Sequence, residues 1–369
     1  MSSRFFHTLV FSLFVSLSCF CFSASAASIG IHNVQWLGTE QILQREDEHD
    51  TTIAIIGLIF DKYEQEERRY LTHVVSMMGT GRIYHISLSP FGHTAKEVWQ
   101  WIYDKEYKLF FEDMKKLNIR VIFRTMHEMN GWWYSRASHP EDFQPAWRHV
   151  WKLARKTHNL QSDKLLFSLS FNSQDLPTTD ERPTQESPIR FCSQREIDHK
   201  GRCPRKTDYY PGDKYVDLIG VTLYNRWRSR PDKWSKWKTP SELWAEDNLW
   251  VSLTQWNKPI IIDELGTTAV NFKGKWTSKK AQRAFLSNSK DKNTRLAERQ
   301  MMFDENPIIK AIVYFNLDMT EGMTKQVGGQ AEWSIILSPH HADYDKGVDL
   351  LTQYDNPRSV ERLFRVKKK

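Results

Sequence analysis

Eight apolar segments recur along the chain at fairly regular intervals, and they constrain the fold more than any other feature. The last four are rich in Ile, Val, Leu or Phe, which is typical of strands buried on both faces of a parallel sheet. The segments are residues 29–36, 52–60, 82–88, 120–125, 164–171, 216–223, 259–263 and 309–315. Helical patterns or helix-start signals lie between most of them or follow the last, at residues 63–78, 95–117, 140–160, 240–256 and 356–366.

This alternation predicts an α/β fold, a (β/α)8 TIM barrel formed by a single domain with long βα loops. The main competitor is a doubly wound open sheet, which usually carries a glycine-rich phosphate loop after an early strand. The second apolar segment contains only Gly57 and no such loop. A hydrophobic content of 40% and a charged content of 26% are values of globular proteins, so disorder is not expected.

The amino-terminal residues 1–26 have the pattern of a signal peptide. Arg4 supplies the positive charge, residues 9–22 form the apolar stretch, and residues 24–26 form an A-x-A cleavage site. The apolar stretch is too short to favour a membrane span. We therefore expect a secreted or periplasmic catalytic domain of residues 27–369, monomeric and without a stable membrane anchor.

Two cysteines, Cys192 and Cys203, remain after the predicted cleavage and lie within a long loop at residues 173–213. In an exported protein an isolated pair of this kind predicts a disulfide bond, and two free buried thiols are the alternative. The net charge is +7, which favours anionic polymers only weakly. Because no zinc-knuckle, RRM or helix-turn-helix pattern is present, nucleic acid is not an expected partner.

Two carboxylates follow predicted strands four and seven, at the end of a barrel where catalytic residues gather. Retaining glycosidases use such a pair, with an acid that protonates the leaving oxygen and a nucleophile about 5–5.5 Å away. Glu128 and Glu264 are the candidates, and Arg124 is placed to keep the nucleophile ionised. Asp263 is expected to face the opposite way, into a structural interaction. If either glutamate is considered without the other, the alternative to a catalytic role is that it is a salt-bridge partner. Other polar candidates at the strand ends are His85, His127, Asn172 and Tyr224.

Other chemistries fit the sequence less well. A zinc protease motif would require a second histidine four residues after His127, where the chain has Gly131. His85 and His93 have no metal-ligand spacing with His127, and hydrogen bonding is the simpler interpretation. A G-x-S-x-G nucleophile elbow is absent. The carboxylate mechanism requires no cofactor and no metal.

Three stretches of the chain resemble glycoside hydrolase family 26, which contains β-mannanases, lichenases and some xylanases. Residues 124–134 (RTMHEMNGWWY) resemble the acid/base motif of that family. Residues 210–220 (YPGDKYVDLIG) resemble the entry to its sixth strand, and residues 258–266 (KPIIIDELG) resemble its nucleophile strand. The order and spacing match from about residue 80 to about residue 335, on the strands that the periodicity already predicts.

The resemblance implies a role for each matching residue. Glu128 would be the acid/base and Glu264 the nucleophile, with Arg124 and His127 shaping their surroundings. Tyr224 would hydrogen-bond the nucleophile. Trp133 would stack at the cleavage site and Trp333 would form the floor of the sugar site. For the two tryptophans the alternative is ordinary loop packing, because Trp is often mostly buried.

The chain departs from the family pattern at positions that bear on the sugar. Thr222 stands where the mannanases tend to carry an acidic residue, and residues 86–91 lack the polar and aromatic pattern expected of a mannan site. We expect a retaining hydrolase that cleaves a β-linked polysaccharide, with mannan as the first substrate and β-1,3-1,4-glucan or an anionic exopolysaccharide as alternatives. A non-hydrolytic carbohydrate-binding or polysaccharide-assembly protein is the alternative from another class.

Overall fold

A computed structural model describes residues 27–32, 38–48, 50, 52–90, 92–131, 139–173, 203–225, 240–267, 308–315 and 361–364. The strands are β1 Ser28–His32, β2 Ile55–Phe60, β3 Ile83–Leu88, β4 Arg120–Thr125, β5 Leu165–Asn172, β6 Leu218–Asn225, β7 Ile260–Thr267 and β8 Ile309–Phe315. They form a closed barrel in chain order, in which every neighbouring pair is parallel and β1 also pairs with β8. The predicted (β/α)8 barrel is therefore confirmed.

The helices of the described residues are α1 Thr39–Glu48, α2 Gln65–Met78, α3 Ala95–Trp99, α4 Asp104–Leu117, α5 Pro140–Lys152, α6 Pro240–Ala245 and α7 Leu249–Thr254. A turn of π-helix at Leu153–Thr157 continues α5. Of the carboxy-terminal helix predicted at residues 356–366, the described part is a 3₁₀ turn at Arg362–Phe364.

The sequence predictions about the helices were wrong in three details. The helix expected over residues 240–256 is divided into α6 and α7 around Asn248, which has a φ of 51°. The helix expected over residues 95–117 is divided into α3 and α4, because Trp101 has a φ of 72° and a residue in that region cannot continue a right-handed helix. Helix α1 was not predicted. Its sequence, TEQILQREDE, is mostly polar and gives a weak apolar periodicity.

The interior of the barrel changes from apolar to polar along the strands. Near the amino-terminal ends, aliphatic side chains of β2 to β8 pack together with Phe364: Ile55, Ile83, Ile122, Leu166, Leu218, Ile261, Ala311 and Val313. Side chains two residues further along a strand have the same orientation. On six of the strands these positions are glycine or polar: Gly57, His85, Arg124, Ser168, Gly220 and Asp263. The sequence therefore places polar groups inside the barrel, below its carboxyl-terminal mouth.

Candidate active site

The two predicted carboxylates meet at the carboxyl-terminal end of the barrel. Glu264 lies within β7, and Glu128 lies three residues after the end of β4. Each is only 7% exposed. The negative charge of Glu264 raises the pKa of the Glu128 carboxyl, which requires the two groups to be close.

A β-bulge in β7 turns Glu264 into the barrel. Along β6, Val221 pairs with Ile262 and the next residue, Thr222, pairs with Glu264, so β7 contains one residue more than its neighbour. The pairing of β7 with β8 shows the same extra residue between Ile262 and Leu265. In a regular strand, Glu264 would face the helices if Asp263 faced the interior.

Among the described residues, Glu264 accepts hydrogen bonds from two side chains, one on the neighbouring strand β6 and one across the barrel on β4. Arg124 donates from Nη2 to one carboxylate oxygen of Glu264, and the Tyr224 hydroxyl donates to the other. The Arg124 side chain is completely buried, and its Nε donates to Oγ of Ser87 at 2.6 Å. Burial lowers the pKa of Arg124, but the charges of Glu264 and Asp263 outweigh it, so the net shift is upward. The Arg124 cation thus forms a buried, charge-assisted ion pair with Glu264.

Glu128 has a different environment. Its Oε1 accepts a hydrogen bond from the Thr222 hydroxyl and another from Nδ2 of Asn172 at 2.9 Å. Burial raises the pKa of Glu128 most, and the charge of Glu264 raises it further. The hydrogen bonds from Thr222 and Asn172 and the charge of Arg124 act in the opposite direction without cancelling the rise. Glu128 therefore holds a proton more readily than a glutamate exposed to water does.

The loop that carries Glu128 is held in an unusual conformation. Met126 and Glu128 have φ values of 46° and 53°, in a region that side chains rarely adopt. The Glu128 amide donates to the Ser170 carbonyl at 2.8 Å. The Asn130 side chain makes two hydrogen bonds to the main chain of Asn172, at 2.8 and 2.9 Å. These contacts join the loop after β4 to the end of β5, and so they fix Glu128 beside Asn172.

Four of the predicted site residues accompany the two glutamates. Arg124 and Tyr224 contact Glu264, and Asn172 contacts Glu128. His127 is adjacent to Glu128 in the chain and is buried. Contacts of Asn172 and His127 with a sugar stay predictions.

Two predictions about the strands below the site require correction. His85 was expected to line the pocket, but it has no exposed surface, and its Nε2 lies 2.7 Å from Oδ1 of Asp263. It therefore lies beneath the pocket. Asp263 was expected to face away from Glu264, but its contacts with His85 of β3 and Ser168 of β5 place it inside the barrel as well. Its structural interaction is confirmed.

Some predicted residues lie outside the described part of the chain. These are Trp133, Trp333 and Cys192. Cys203 is described and is buried, but its pairing with Cys192 stays a prediction. The predicted signal peptide, residues 1–26, also lies outside the described residues. Within those residues, no helix combines the length and the apolar character that a membrane-spanning helix requires.

Sequence reasoning missed two features of the site. Thr222 was noted only as a departure from a family pattern, although its hydroxyl contacts Glu128. Its position two residues before Tyr224, on the same face of β6, was the available signal. The bulge at Asp263 had no signal in the sequence, because strand pairing is a tertiary property.

A closed (β/α)8 barrel with two dissimilar carboxylates at its carboxyl-terminal mouth has the features of the glycoside hydrolase class. The model of glycosyl hydrolase family 26 matches residues 105–186, which include β4 and Glu128. This match confirms that the chain resembles glycoside hydrolase family 26.

Similar proteins agree with this assignment. Endoglucanase H of Acetivibrio thermocellus is 23% identical over 209 residues, which cover 54% of this chain and 20% of that protein. The chain thus spans about a fifth of the curated relative that it matches. GH26C from Muricauda sp. MAR_2010_75 superposes with a TM-score of 0.56 at 12% identity, covering 94% of this chain and 91% of the other.

A second solved structure is the GH26 domain from the endo-beta-mannanase/endo-beta-glucanase PbGH26-GH5A of Prevotella bryantii. It gives a TM-score of 0.51 at 11% identity, with 90% of each chain covered. Likeness at these identities concerns the barrel fold.

Proposed function

We propose that this protein is a retaining glycoside hydrolase that cleaves a β-linked polysaccharide by double displacement. The observation that carries the proposal is the contrast between two buried carboxylates, Glu264 held by Arg124 and Tyr224, and Glu128 with a raised pKa. A carboxylate kept ionised is suited to nucleophilic attack, and one with a raised pKa is suited to proton donation.

In the first step, a Glu264 carboxylate oxygen attacks the anomeric carbon of the bound sugar, and the bond to the glycosidic oxygen breaks. Glu128 gives its proton to that oxygen, so the leaving sugar departs as an alcohol. Tyr224 and Arg124 fix the direction of the Glu264 oxygens before the attack. The product of this step is a glycosyl ester on Glu264, with Glu128 ionised.

In the second step, Glu128 takes a proton from a water molecule, and the oxygen of that water attacks the anomeric carbon. The ester bond breaks and Glu264 leaves as a carboxylate. Esterified Glu264 carries no charge, so one of the causes that raise the pKa of Glu128 is absent in the intermediate. Glu128 therefore becomes a better-stabilised carboxylate when it has to act as the base.

The proposed substrate is mannan, cleaved in the manner of an endo-1,4-β-mannosidase, on the resemblance of the three motifs to β-mannanases. Thr222 in place of an acidic residue keeps β-1,3-1,4-glucan and an anionic exopolysaccharide as alternatives. The name of the related Endoglucanase H is in keeping with the glucan alternative. Trp133 and Trp333 are the proposed stacking platforms for the sugar rings.

Export is the second part of the proposal. Residues 1–26 are proposed to be removed, and the domain of residues 27–369 is proposed to act outside the cytoplasm as a monomer. A disulfide between Cys192 and Cys203 would cross-link the loop after β5 in that oxidising environment.

The test is the release of reducing ends by residues 27–369 from mannans, mixed-linkage glucan, xylan and acidic exopolysaccharides. Glu264→Ala is expected to lose nearly all release, because no nucleophile remains. Glu66→Ala, which removes an exposed carboxylate of α2, serves as the matched control and is expected to retain full activity.

The outcomes separate an enzyme from a binding protein. Release from one polymer that disappears in Glu264→Ala identifies a hydrolase and its substrate class together. Absence of release from every polymer, with equal binding by the parent and Glu264→Ala, would support the carbohydrate-binding or polysaccharide-assembly alternative and contradict the proposal.

A further inference from the structure

Three titratable side chains lie inside the barrel below the two glutamates, and the proposed reaction uses none of them. Nε2 of His32 lies 3.2 Å from Nδ1 of His85, and Nε2 of His85 lies 2.7 Å from Oδ1 of Asp263. The Ser168 hydroxyl donates to Oδ2 of Asp263 at 3.1 Å. All four side chains are at most 1% exposed. They form a continuous connection from β1 through β3 to β7 and β5.

The end point of this connection is the extra residue of the β7 bulge. The main chain of an extra residue is left out of the regular ladder, and a buried main-chain group without a partner is unfavourable. At this bulge, hydrogen bonding to the main chain of Asp263 and Gly57 raises the pKa of the His32 ring, against a larger lowering caused by burial. His85 and Ser168 contact the carboxylate of Asp263, and the ring of His32 contacts the ring of His85 from the other side.

The electrostatics favour a charged Asp263 in this position. Burial acts to raise the pKa of Asp263, but the charge and hydrogen bond of His85 and the charge of Arg124 hold it below its usual range. A buried carboxylate with these partners has a single well-satisfied orientation, because turning it away would leave its charge uncompensated.

Glycine provides the space that the cluster occupies. A Cβ atom added to Gly220 of β6 would lie 1.7 Å from Oδ2 of Asp263. A Cβ atom added to Gly57 of β2 would lie 2.2 Å from Nδ1 of His32. Both distances are far below van der Waals contact, so the side chains of Asp263 and His32 depend on glycine at these two positions.

We propose that His32, His85 and Ser168 form a clamp on Asp263 that maintains the β7 bulge and thereby points Glu264 at the sugar. His85 and Asp263 are in this view positioning residues for Glu264. Without the bulge, alternation along β7 would direct either Asp263 or Glu264 toward the helices. The consequence for turnover rests on the proposed function, whereas the consequence for the bulge does not.

The test compares His85→Asn and Gly220→Ala with the control His149→Asn. The first removes the partner of Asp263, and the second pushes Asp263 away without removing a titratable group. The control breaks another histidine–aspartate contact, between His149 and Asp104 at 2.6 Å, which joins helices α5 and α4 on the outside of the barrel. Ser168→Ala removes one donor to Asp263 and provides a milder variant if His85→Asn does not fold.

The first readout is hydrogen–deuterium exchange of residues 260–267, which does not depend on turnover. We expect this segment to exchange faster in His85→Asn and in Gly220→Ala than in His149→Asn. Ser168→Ala takes the place of His85→Asn in this comparison if His85→Asn does not fold. Equal exchange in all variants would overturn the clamp, whether or not the parent protein hydrolyses any polymer.

The second readout is turnover of the polymer that the parent cleaves, together with the rate at which Glu264 is labelled covalently. We expect kcat to fall about 100-fold in His85→Asn with KM changed less than about threefold, since displacement of a reacting group by about 1 Å has an effect of this size. Covalent labelling by an activated aryl 2-deoxy-2-fluoro-β-glycoside of the same sugar is expected to slow in parallel.

The outcomes of the two readouts are separable. An active parent whose labelling rate is the same in His85→Asn, Gly220→Ala and His149→Asn would contradict the positioning role. A parent inactive on every polymer would contradict the proposed function instead, and the exchange measurement would still decide whether the clamp exists.

Discussion

The hydroxyl of Thr222 donates a hydrogen bond to Oε1 of Glu128, the oxygen that also accepts from Asn172. A carboxylate accepts such hydrogen bonds more strongly than a neutral carboxylic acid does. Both hydrogen bonds therefore favour the ionised form of Glu128. They oppose the effects of burial and of the Glu264 charge on its pKa. Thr222 therefore adjusts the pH range in which Glu128 can act as an acid.

The first prediction concerns Thr222→Val, which keeps the shape of the side chain and removes the hydroxyl. The hydrogen bond from Thr222 acts to lower the pKa of Glu128, so its loss should raise that pKa further. Glu128 must be protonated for the first step, so the alkaline limb of the pH profile of kcat/KM should move to higher pH. A matched Thr72→Val change on the exposed side of α2 should leave the limb in place. An unmoved or lowered limb in Thr222→Val would contradict this account.

A second prediction uses the leaving group to identify the acid. Glu128→Ala should lose most activity on a polymer, roughly 10²–10⁴-fold, because a poor leaving group depends on protonation. An acidic phenol leaves an aryl glycoside without being protonated, so the first step on such a substrate should be far less affected by the loss of Glu128. Added azide should then accelerate the second step by replacing the base-activated water. Equal loss on both substrates, with no effect of azide, would show that Glu128 is not the acid/base.

The third prediction concerns Glu128→Gln, whose difference in stability from the parent is expected to change with pH. Folding raises the pKa of Glu128. Below the pKa that this group has in the unfolded chain, the parent keeps the full stability contribution linked to Glu128. It loses that contribution as the pH rises through the higher pKa of the folded state. Glutamine has no charge to bury, so the variant should melt higher than the parent at pH 7. The difference should disappear near pH 4. Thermal unfolding of both proteins over that range measures it, and a constant difference would contradict a raised pKa.

The fourth prediction concerns Arg124→Met, which leaves the carboxylate of Glu264 without its buried cation. Removal of one partner from a buried ion pair destabilises by about 3–5 kcal/mol, so the free energy of unfolding should fall by that amount. Turnover should also fall, because Tyr224 would be the only partner of Glu264 that remains among the described residues. Denaturant unfolding measures the first effect. Lys62→Met, at the exposed pair with Glu64, is the control and should leave the free energy of unfolding nearly unchanged.

The strands could be predicted closely because their signal is local. A strand buried on both faces is a continuous apolar run, so β4 and β8 were predicted with the same residues that the structure has. Helix α1 was missed because its surface is mostly polar, and the break at Trp101 was missed because a positive φ at a tryptophan has no sequence signature. Local propensity therefore accounts for the element order and fails where one residue adopts an uncommon conformation.

The candidate site likewise has some features that the sequence predicts and others that depend on the tertiary structure. The strand pattern predicts Glu128 and Glu264 at the carboxyl-terminal ends of parallel strands, and parallel strands of a barrel end at the same mouth. Only the tertiary structure decided that Asp263 occupies a bulge and that Glu264 faces inward. It also decided that Thr222 reaches Glu128. The physical reason is that side-chain alternation is set within a strand, whereas register is set between strands, where one extra residue reverses the direction of every side chain that follows.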